Sequence, residues 1–287
     1  MSWRCVALLL AFAGLSGCSV GTRLAYDNLD TLVRMEVGGY VDLDSTQDAL
    51  LDHEFDTLWA WHRRDELAAY ALALRHTADL AERATLDRPA VDAIADTIRA
   101  GVERIVERAL PGLASLLASL DAAQVSELLA SQQKELDDEL ETFEDETTAE
   151  SLQRLTDKLE ERIEKWVGPL TPEQRAYLTR RMAEANARGE FADTRLRADA
   201  EQDQQAFSAL LASRQKAGFA ARLRAAFYPQ DAVAEAERSI RRERGRAFYA
   251  ALATTFTPKQ RAHFAKRLRS YADDASALAA KAVAPTQ

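Results

Sequence analysis

The chain contains 287 residues, of which 47% are hydrophobic and 29% are charged, and its formal net charge is −9. This acidic balance argues against nucleic acid as a partner. With only 11 glycines and 7 prolines among many Ala, Leu, Glu and Arg residues, the composition favours helices, and we expect an all-α fold.

The first residues have the organisation of a secretory signal peptide. Arg4 precedes an apolar run from Val6 to Leu15, and small residues follow the run. The run is too short to span a bilayer comfortably, since about 20 residues are needed. The four residues that end at Cys18, of sequence LSGC, resemble the lipobox of bacterial lipoproteins. An ordinary cleavable signal or a short membrane anchor is the alternative.

This resemblance implies that residues 1–17 are removed and that Cys18 is lipidated on its sulfur and becomes the new N-terminus. Because Ser19 is not Asp, the same resemblance implies sorting to the outer membrane, with the folded part facing the periplasm. Residues 18–24 would form the lipidated N-terminus and a tether that reaches at most ~20 Å. Several acyl chains, at ~0.8 kcal/mol per buried CH₂, would make the anchoring stable.

Removal of the signal peptide also removes Arg4 and Cys5. The mature chain then has 36 basic and 46 acidic residues, a net charge of −10, and no thiol besides the lipidated Cys18. An exported chain without disulfides must be held together by its core, and this chain is long enough to bury one. Residues 25–283 are therefore expected to form a single helical domain.

Within residues 25–283, apolar residues recur with a period near 3.6, and Gly or Pro marks the ends of the periodic segments. The pattern predicts roughly eight mostly long, antiparallel amphipathic helices and no strand. Pro111-Gly112 is expected to break or kink one helix, and the region after residue 121 is divided in two, with one continuous helix as the alternative. The predicted segments are 24–37, 44–85, 89–110, 113–120, 122–146, 148–167, 171–188, 196–227, 229–254 and 257–278.

Four helix starts share one motif, in which an apolar residue precedes an N-cap residue and a glutamine follows the cap by three positions. The cap side chain can accept from the backbone N–H of the glutamine, while the glutamine side chain returns to the cap N–H, which closes a capping box. The caps and glutamines are Asp44 and Gln47, Asp121 and Gln124, Thr171 and Gln174, and Thr257 and Gln260.

The spacing of these motifs bears on domain organisation. Successive copies are 77, 50 and 86 residues apart in the sequence. The similar first and third intervals predict two related halves, 25–167 and 168–283, that join near Gly168-Pro169.

The motif resembles the LTxxQ signature of the periplasmic Spy/CpxP family, small all-α proteins that form cradle-like dimers and chaperone unfolded proteins. The copy at 170–174, of sequence LTPEQ, carries the resemblance most fully. The copies capped by Asp44 and Asp121 have DST and DAA where TPE is typical, but both keep the cap and the glutamine. The resemblance is local, and it implies a chaperone-like role in the cell envelope.

A fuller resemblance is to an uncharacterised family of Gram-negative lipoproteins. It rests on the sequences YDNLD at 26–30, YVDLD at 40–44 and WHRRDEL at 61–67. This resemblance extends over most of the chain and implies a lipoprotein, but it implies no activity.

One helical face concentrates unusual side chains. Trp59, His62, Arg63 and Glu66 fall at i, i+3, i+4 and i+7, which places them along one side of the second predicted helix. One interpretation is a binding or catalytic patch in which Glu66 orients His62. The other is a half-buried polar network, in which Trp59 packs on a neighbouring helix and His62 is hydrogen-bonded one turn from Glu66.

No other constellation in the sequence favours catalysis or a cofactor. The remaining histidines, His53, His76 and His263, lack the spacing of metal ligands, and there is no Gly-x-Ser-x-Gly elbow or phosphate-binding glycine loop. We therefore expect no metal, no cofactor and no enzymatic activity. A hydrolase that acts through His62 and Glu66 is the remaining catalytic alternative.

Charge is segregated along the chain. Residues 135–150 contain nine acids and no base, whereas five arginines cluster in one predicted helix. Both runs are interpreted as solvated helix faces, with a surface for anionic lipid or an acidic partner as the alternative for the basic run. The acids are Glu135, Asp137, Asp138, Glu139, Glu141, Glu144, Asp145, Glu146 and Glu150. The arginines are Arg238, Arg241, Arg242, Arg244 and Arg246.

Together these patterns predict an outer-membrane lipoprotein with a non-catalytic interaction or chaperone-like role. The alternative is a structural or assembly lipoprotein that binds one dedicated envelope partner or the cell wall. The expected partners are the membrane, through Cys18, and an envelope protein, while nucleic acid is not expected. The oligomeric state stays open.

Overall fold

The computed structural model describes residues 23–24, 26–84, 86–144, 148–191, 193–228 and 231–283. Within these ranges the chain is all-α and forms no strand, which confirms the predicted fold class. The described residues form ten helices rather than roughly eight, when segments that continue into each other are counted as one. The segments are α1 (Leu29–Gly38), α2 (Ser45–Trp61), α3 (Leu67–Glu82), α4 (Arg88–Ser119), α5 (Ala122–Glu144), α6 (Thr148–Val167), α7 (Pro172–Ala187), α8 (Asp193–Ala212), α9 (Phe219–Phe227), α10 (Ala232–Ala253) and α11 (Pro258–Val283).

The segments α2 and α3 are one continuous helix with a π turn, His62–Glu66, inserted between them. A π turn accommodates one extra residue without ending the helix, and such turns are frequent at functional sites. The sequence therefore predicts the length of this helix well, because the helix ends at Glu82, but its pattern does not reveal the turn.

Helix α4 runs without interruption from Arg88 to Ser119, so Pro111-Gly112 does not break it into the separate segments 89–110 and 113–120. Leu110 and Leu116 are buried on either side of the proline, and this packing holds both parts of the helix. Gly112 has a different purpose, because a Cβ atom there would lie only 2.9 Å from the Cβ atom of Glu54 on α2. The two helices cross at this point because residue 112 has no side chain.

The single pattern predicted between residues 196 and 227 is two helices, α8 and α9. Gly218 precedes α9 with a φ of 78°, a conformation that residues other than glycine rarely adopt. The guanidinium of Arg222 donates to the carbonyl oxygens of Ser213 and Ala217 at 3.0 and 2.9 Å, which stabilises the connection between the helices.

Two apolar clusters form most of the core. The first lies between α4, α5, α8 and α9, and the second lies between α6, α7 and α10. The first contains Val106, Leu110, Leu117, Leu128, Phe207, Leu211 and Leu223. The second contains Ile163, Val167, Leu178 and Leu252.

The last helix, α11, packs lengthwise against α3. Alanines form the seam between these helices, and Ala78, Ala81, Ala265 and Ala272 are fully buried there. Small side chains let the two helices approach each other closely. The C-terminal helix is thus packed directly on the N-terminal part of the chain, while the division into two related halves stays a prediction.

No single helix in the described ranges has both the length and the apolar character needed to cross a membrane. Arg88–Ser119 and Ala122–Asp138 meet this criterion of length and composition only when taken together, and they are bent by 117° at the break between them.

Candidate binding site

The four capped helix starts meet in two pairs. The side-chain amide of Gln47 donates to Oε1 of Gln124 at 2.9 Å, and the amide of Gln124 donates back at 2.6 Å. Gln174 and Gln260 form the same reciprocal pair, at 3.0 and 2.8 Å. The partners are 77 residues apart in the first pair and 86 in the second, so each pair joins distant parts of the chain.

Each of these glutamines also closes the capping box of its own helix. Its Oε1 atom accepts from the backbone N–H of the cap residue at 2.9–3.0 Å, and the cap side chain accepts from the backbone N–H of the glutamine. The second amide N–H of each glutamine donates to the carbonyl oxygen two residues before the cap of its partner. These bonds join Gln47 to Ser119, Gln124 to Asp42, Gln174 to Thr255, and Gln260 to Pro169.

All hydrogen-bonding groups of the motif glutamine side chains are therefore satisfied within the fold. Gln47, Gln174 and Gln260 are at most 5% exposed, and Gln124 is half-buried. Two accepted and two donated bonds account for the full capacity of a side-chain amide. The LTxxQ-type motif determines how four helices begin and pair, and no amide group of it is left to bind a client protein.

The candidate polar patch lies at the π turn. Trp59 belongs to α2, while His62, Arg63 and Glu66 belong to the turn itself. His62 is 7% exposed, and its Nδ1 atom is 2.8 Å from the hydroxyl oxygen of Tyr26. Burial lowers the pKa of His62 to about 4, so its imidazole is neutral at pH 7.

Glu66 is also buried, and its partner is Arg104 on α4. Two guanidinium nitrogens of Arg104 lie 2.7 and 2.8 Å from the two carboxylate oxygens, and this pairing holds the pKa of Glu66 below its usual range. Glu66 thus pairs with Arg104 and His62 with Tyr26, whereas the catalytic interpretation had Glu66 orient His62. The bidentate pair ties the π turn to α4.

Aromatic rings stack beside the turn. Trp59 stacks on both Tyr26 and Phe55, with ring centroids 4.3 and 5.5 Å apart. His62 stacks on Trp59 at 4.8 Å with the two ring planes 2° apart, and the guanidinium of Arg63 lies 5.3 Å from the ring centroid of Tyr26. Such pairs contribute roughly 0.5–1.5 kcal/mol each beyond the burial of their area, so the rings are held in fixed positions.

A surface pocket of about 430 Å³ lies next to this stack, between α2 and the segment that leads into α1. Two aromatic rings, three carboxylates and one guanidinium line it, which gives it a net charge of −2. The lining residues are Asp27, Asp30, Phe55, Asp56, Trp59, Ala60 and Arg63. We call it the acidic–aromatic pocket.

The polar groups of the acidic–aromatic pocket differ in their pairing. Asp27 is bonded to Arg63 at 3.2 Å and to Lys281 of α11 at 2.7 Å. Asp30 and Asp56 are exposed, and no cation in the described part of the chain pairs with either. Within the same ranges, the Nε1 atom of Trp59 and the Nε atom of Arg63 are buried without a hydrogen-bond partner. The pocket thus combines two free carboxylates with the rings of Phe55 and Trp59, while the two unpaired donors are buried and do not reach solvent.

The sequence indicates only part of this site. Trp59 and Arg63 lie on the predicted face, and Phe55 could be added because it precedes Trp59 by one helical turn. Asp27 and Asp30 come from a separate segment, and no spacing in the sequence connects them with α2. The tertiary packing of α1 on α2 brings them together.

The predicted basic surface on α10 is neutralised by ion pairs. Each of its five arginines lies within 3.8 Å of a carboxylate oxygen, so the interpretation as a surface for anionic lipid loses its support. The pairs are Arg238 and Arg242 with Glu235, Arg241 with Glu237, Arg244 with Glu190, and Arg246 with Asp92 and Asp96.

Two other predicted features lie partly or wholly outside the described residues. Cys18, the predicted lipidation site, is outside them, as are residues 145–147 and the side chains of 139–144 in the acidic run. In the rest of that run, Glu135 accepts from the hydroxyl of Tyr40 at 2.5 Å, and Asp137 accepts from Gln133 at 2.7 Å.

The described residues contain no group of three or more His, Cys, Asp or Glu side chains arranged to hold a metal ion. His53, His76 and His263 are exposed on α2, α3 and α11.

Comparison with known protein families gives a match over most of the chain. A model described as "Family of unknown function (DUF6279)" matches residues 39–238. The match includes α2, the π turn and both partners of the Gln47–Gln124 pair, and it begins after Asp27 and Asp30. No curated protein matches the chain, and no solved structure does.

Proposed function

The chain belongs to the DUF6279 family, whose function is unknown, so we infer a role from the residues of this chain. We propose that it is an outer-membrane lipoprotein that binds a basic segment of an envelope protein. The lipobox resemblance supports an anchor on Cys18, with the helical body facing the periplasm. The binding role requires no cofactor.

The acidic–aromatic pocket is the observation that carries this proposal. A lysine or arginine side chain has an apolar stem and a cationic end. The rings of Phe55 and Trp59 match the stem, and the free carboxylates of Asp30 and Asp56 match the charge. Arg63 already makes such a cation–π contact with Tyr26 in the adjacent stack. A basic protein segment therefore fits the pocket better than an acidic or purely apolar ligand.

The contacts of the π turn favour binding over catalysis. A general base must be able to accept a proton from a substrate, but His62 is buried with its Nδ1 atom on Tyr26. Both carboxylate oxygens of Glu66 are held by Arg104. These residues support the position of Trp59 and Arg63, which line the pocket, so a hydrolase acting through His62 and Glu66 has no support in this geometry.

A chaperone-like role with many clients is the second candidate. The buried glutamine pairs weaken the argument from the LTxxQ-type motif, since that motif has a structural explanation. The observation that favours this candidate is on α10, where Val233 and Ile240 are 70% and 51% exposed and lie two turns apart on one face. Exposed apolar side chains of this kind can contact unfolded segments.

Site-specific photo-crosslinking in intact cells separates the two candidates. A photoreactive amino acid replaces Ala60, which lines the pocket and is exposed, or Ala236, which is exposed on α10. One dominant adduct at Ala60 that disappears in Asp30→Asn/Asp56→Asn supports the dedicated partner. A smear of adducts at both positions supports the chaperone, and no adduct at Ala60 contradicts the pocket proposal.

The lipid anchor has its own test. Full-length protein and its Cys18→Ser variant are compared for incorporation of radiolabelled palmitate and for partition with membranes. We expect the label and the membrane association only in the protein that retains Cys18. Equal labelling of the two proteins would show that the anchor is assigned to the wrong residue.

A further inference from the structure

The helical segment that contains α1 has an exposed face without any charged side chain. Its members are spaced i, i+4, i+7, i+8 and i+11, although α1 itself begins after the non-helical residue Asn28. The backbone N–H groups of Asn28 and Leu32 donate to the carbonyl oxygens of Leu24 and Asn28 at 3.1 and 3.3 Å, so these three residues follow one another at intervals of one turn. The members are Leu24, Asn28, Thr31, Leu32 and Met35. Leu24, Leu32 and Met35 are 58%, 37% and 70% exposed, and we call this face the α1 strip.

The other sides of this segment are fixed to the protein. Leu29 is 4% exposed in the core, and Tyr26 is bonded to His62. Four charged side chains lie on one flank of the strip, where Arg23 pairs with Asp274 at 2.7 Å, and the half-buried Glu36 lies on the other side. The flank residues are Arg23, Asp27, Asp30 and Arg34. The rotation of the segment is thus fixed, and its uncharged strip points away from the body.

The α1 strip differs from the other exposed apolar residues. Single exposed leucines such as Leu72, which is 69% exposed on α3, are ordinary on protein surfaces. Val233 and Ile240 on α10 have charged neighbours, among them Glu237 and Arg241, which pair with each other. On the α1 strip, Leu32 and Met35 are three positions apart on one helix, and the strip residues Asn28 and Thr31 between them and Leu24 are uncharged.

We propose that the α1 strip lies on the surface of the lipid bilayer and holds the folded body in one orientation. The occupant is a bilayer because the tether from Cys18 ends at Leu24, the first residue of the strip, and can reach at most ~20 Å. An interfacial helix places its apolar face roughly 5–10 Å into the boundary between headgroups and acyl chains. This inference rests on the proposed lipid anchor.

The orientation has a consequence for the partner of the acidic–aromatic pocket. Asp27 and Asp30 belong to the flank of the strip and also line the pocket. With the strip on the bilayer, the pocket opens beside the membrane surface. Its basic occupant is then a segment close to that surface, such as the juxtamembrane part of a membrane protein.

The test uses the lipidated full-length chain, purified in detergent and reconstituted into vesicles of phosphatidylethanolamine and phosphatidylglycerol. Once Cys18 is lipidated and the signal peptide removed, an introduced cysteine is the only free thiol and can be labelled with an environment-sensitive fluorophore. Met35→Cys places the label on the α1 strip. Leu72→Cys is the matched control, since Leu72 is equally exposed and lies on α3.

We expect the label at position 35 to be quenched by spin-labelled lipids at least roughly twofold more than the label at position 72, as an interfacial helix requires. The added substitutions Leu24→Asp and Leu32→Asp should remove that difference while the lipid anchor remains. Equal quenching at both positions overturns the proposal. A label at position 35 that is shielded from water but not quenched by lipid overturns it as well, because a second protein molecule then covers the strip.

Incorporation of palmitate into each labelled protein is measured first. If no palmitate is incorporated, the proposed lipid anchor is wrong, and the premise of this inference is then wrong as well. With palmitate present and no quenching, the anchor stands and only the docking of the α1 strip is wrong.

Discussion

The side-chain amides of Gln174 and Gln260 donate to each other inside the protein, although the two residues are 86 positions apart in the chain. Both are almost completely buried, at 2% and 4% exposure. Gln47 and Gln124 repeat the arrangement, including the bond from each amide to the residue two positions before the partner's cap. Each motif glutamine thus caps its own helix and also forms a long-range contact with another motif glutamine.

Replacement of Gln174 by alanine should lower the free energy of unfolding by about 3 kcal/mol. The change removes a capping interaction and leaves the buried amide of Gln260 without one partner. Urea denaturation at pH 7 measures the effect. Gln133→Ala is the control, because Gln133 is exposed and bonded only to Asp137 among the described residues, and its loss should cost less than about 0.5 kcal/mol.

A double-mutant cycle with Gln260→Ala tests the pair itself. Once one glutamine is absent, removal of the other costs less, so the two losses should be non-additive by about 1 kcal/mol or more. Additive losses would mean that the two caps act independently.

Alanine at two glycines in helices should have opposite effects. Gly112→Ala should destabilise the protein by about 1–3 kcal/mol, since the new Cβ atom would lie 2.9 Å from the Cβ atom of Glu54 and the helices would have to separate. Gly245 on α10 has nothing within 4 Å of the same position, so Gly245→Ala should stabilise the helix by about 0.5–1 kcal/mol. Thermal and urea unfolding measure whether each substitution stabilises or destabilises the protein. Destabilisation by both substitutions would contradict the close crossing of α2 and α4.

The Glu66–Arg104 pair should contribute more than a surface pair of similar geometry. Arg104→Met leaves a buried carboxylate without its cation, which we expect to cost about 1–3 kcal/mol at pH 7, since Arg104 is itself half exposed. Arg64→Met removes the exposed pair with Asp65 and should leave the free energy of unfolding unchanged within the error of the measurement. Comparable losses in urea denaturation would show that the π turn does not depend on α4.

This contribution also has a defined pH dependence. The pKa of Glu66 is lowered in the folded state, so the unfolded state binds more protons as the solution becomes acidic. The stabilisation is present above the pKa of the unfolded carboxyl group and is lost as the pH falls through the folded value. The difference in unfolding free energy between the parent and Arg104→Met should shrink over that interval.

His62 should destabilise the folded state in mildly acidic solution. Its pKa falls from 6.5 to about 4 on folding, so between these values the unfolded chain is protonated while the native imidazole is neutral. The free energy of unfolding should therefore decrease as the pH falls from 6.5 to 4, by up to about 3 kcal/mol from this group. His62→Gln should flatten the profile, and His53→Gln should retain it, because His53 is exposed. An unchanged profile in His62→Gln would contradict this assignment.

Local chemistry in the sequence accounts for what was predictable in this fold. A cap residue followed three positions later by glutamine is sufficient to predict the start of a helix, and the composition predicts the all-α class. The partner of each glutamine is not predictable in this way. Any of the other three would satisfy the amide of Gln47 equally well, and the packing of the helices selects Gln124.

In the candidate site, too, features that depend on neighbouring residues are predictable from the sequence, whereas contacts with distant segments are not. The spacing of Trp59, His62, Arg63 and Glu66 predicts one shared face, but a π turn lies within this stretch. Glu66 pairs with α4, whereas Trp59 and Arg63 line the pocket. Their actual partners, Tyr26 and Arg104 among them, come from other helical segments, and the sequence gives no distance between segments. Glu66 pairs with Arg104 of α4 rather than with His62 one turn before it, and the guanidinium bonds both carboxylate oxygens at once.

The alanine seam between α3 and α11 also constrains the order in which the chain can fold. Arg75 beside this seam bonds to Asp273, which is synthesised 198 residues later. Contacts of such large sequence separation form slowly, because a long loop must close first. The apolar face of α3 therefore stays uncovered until α11 has been synthesised.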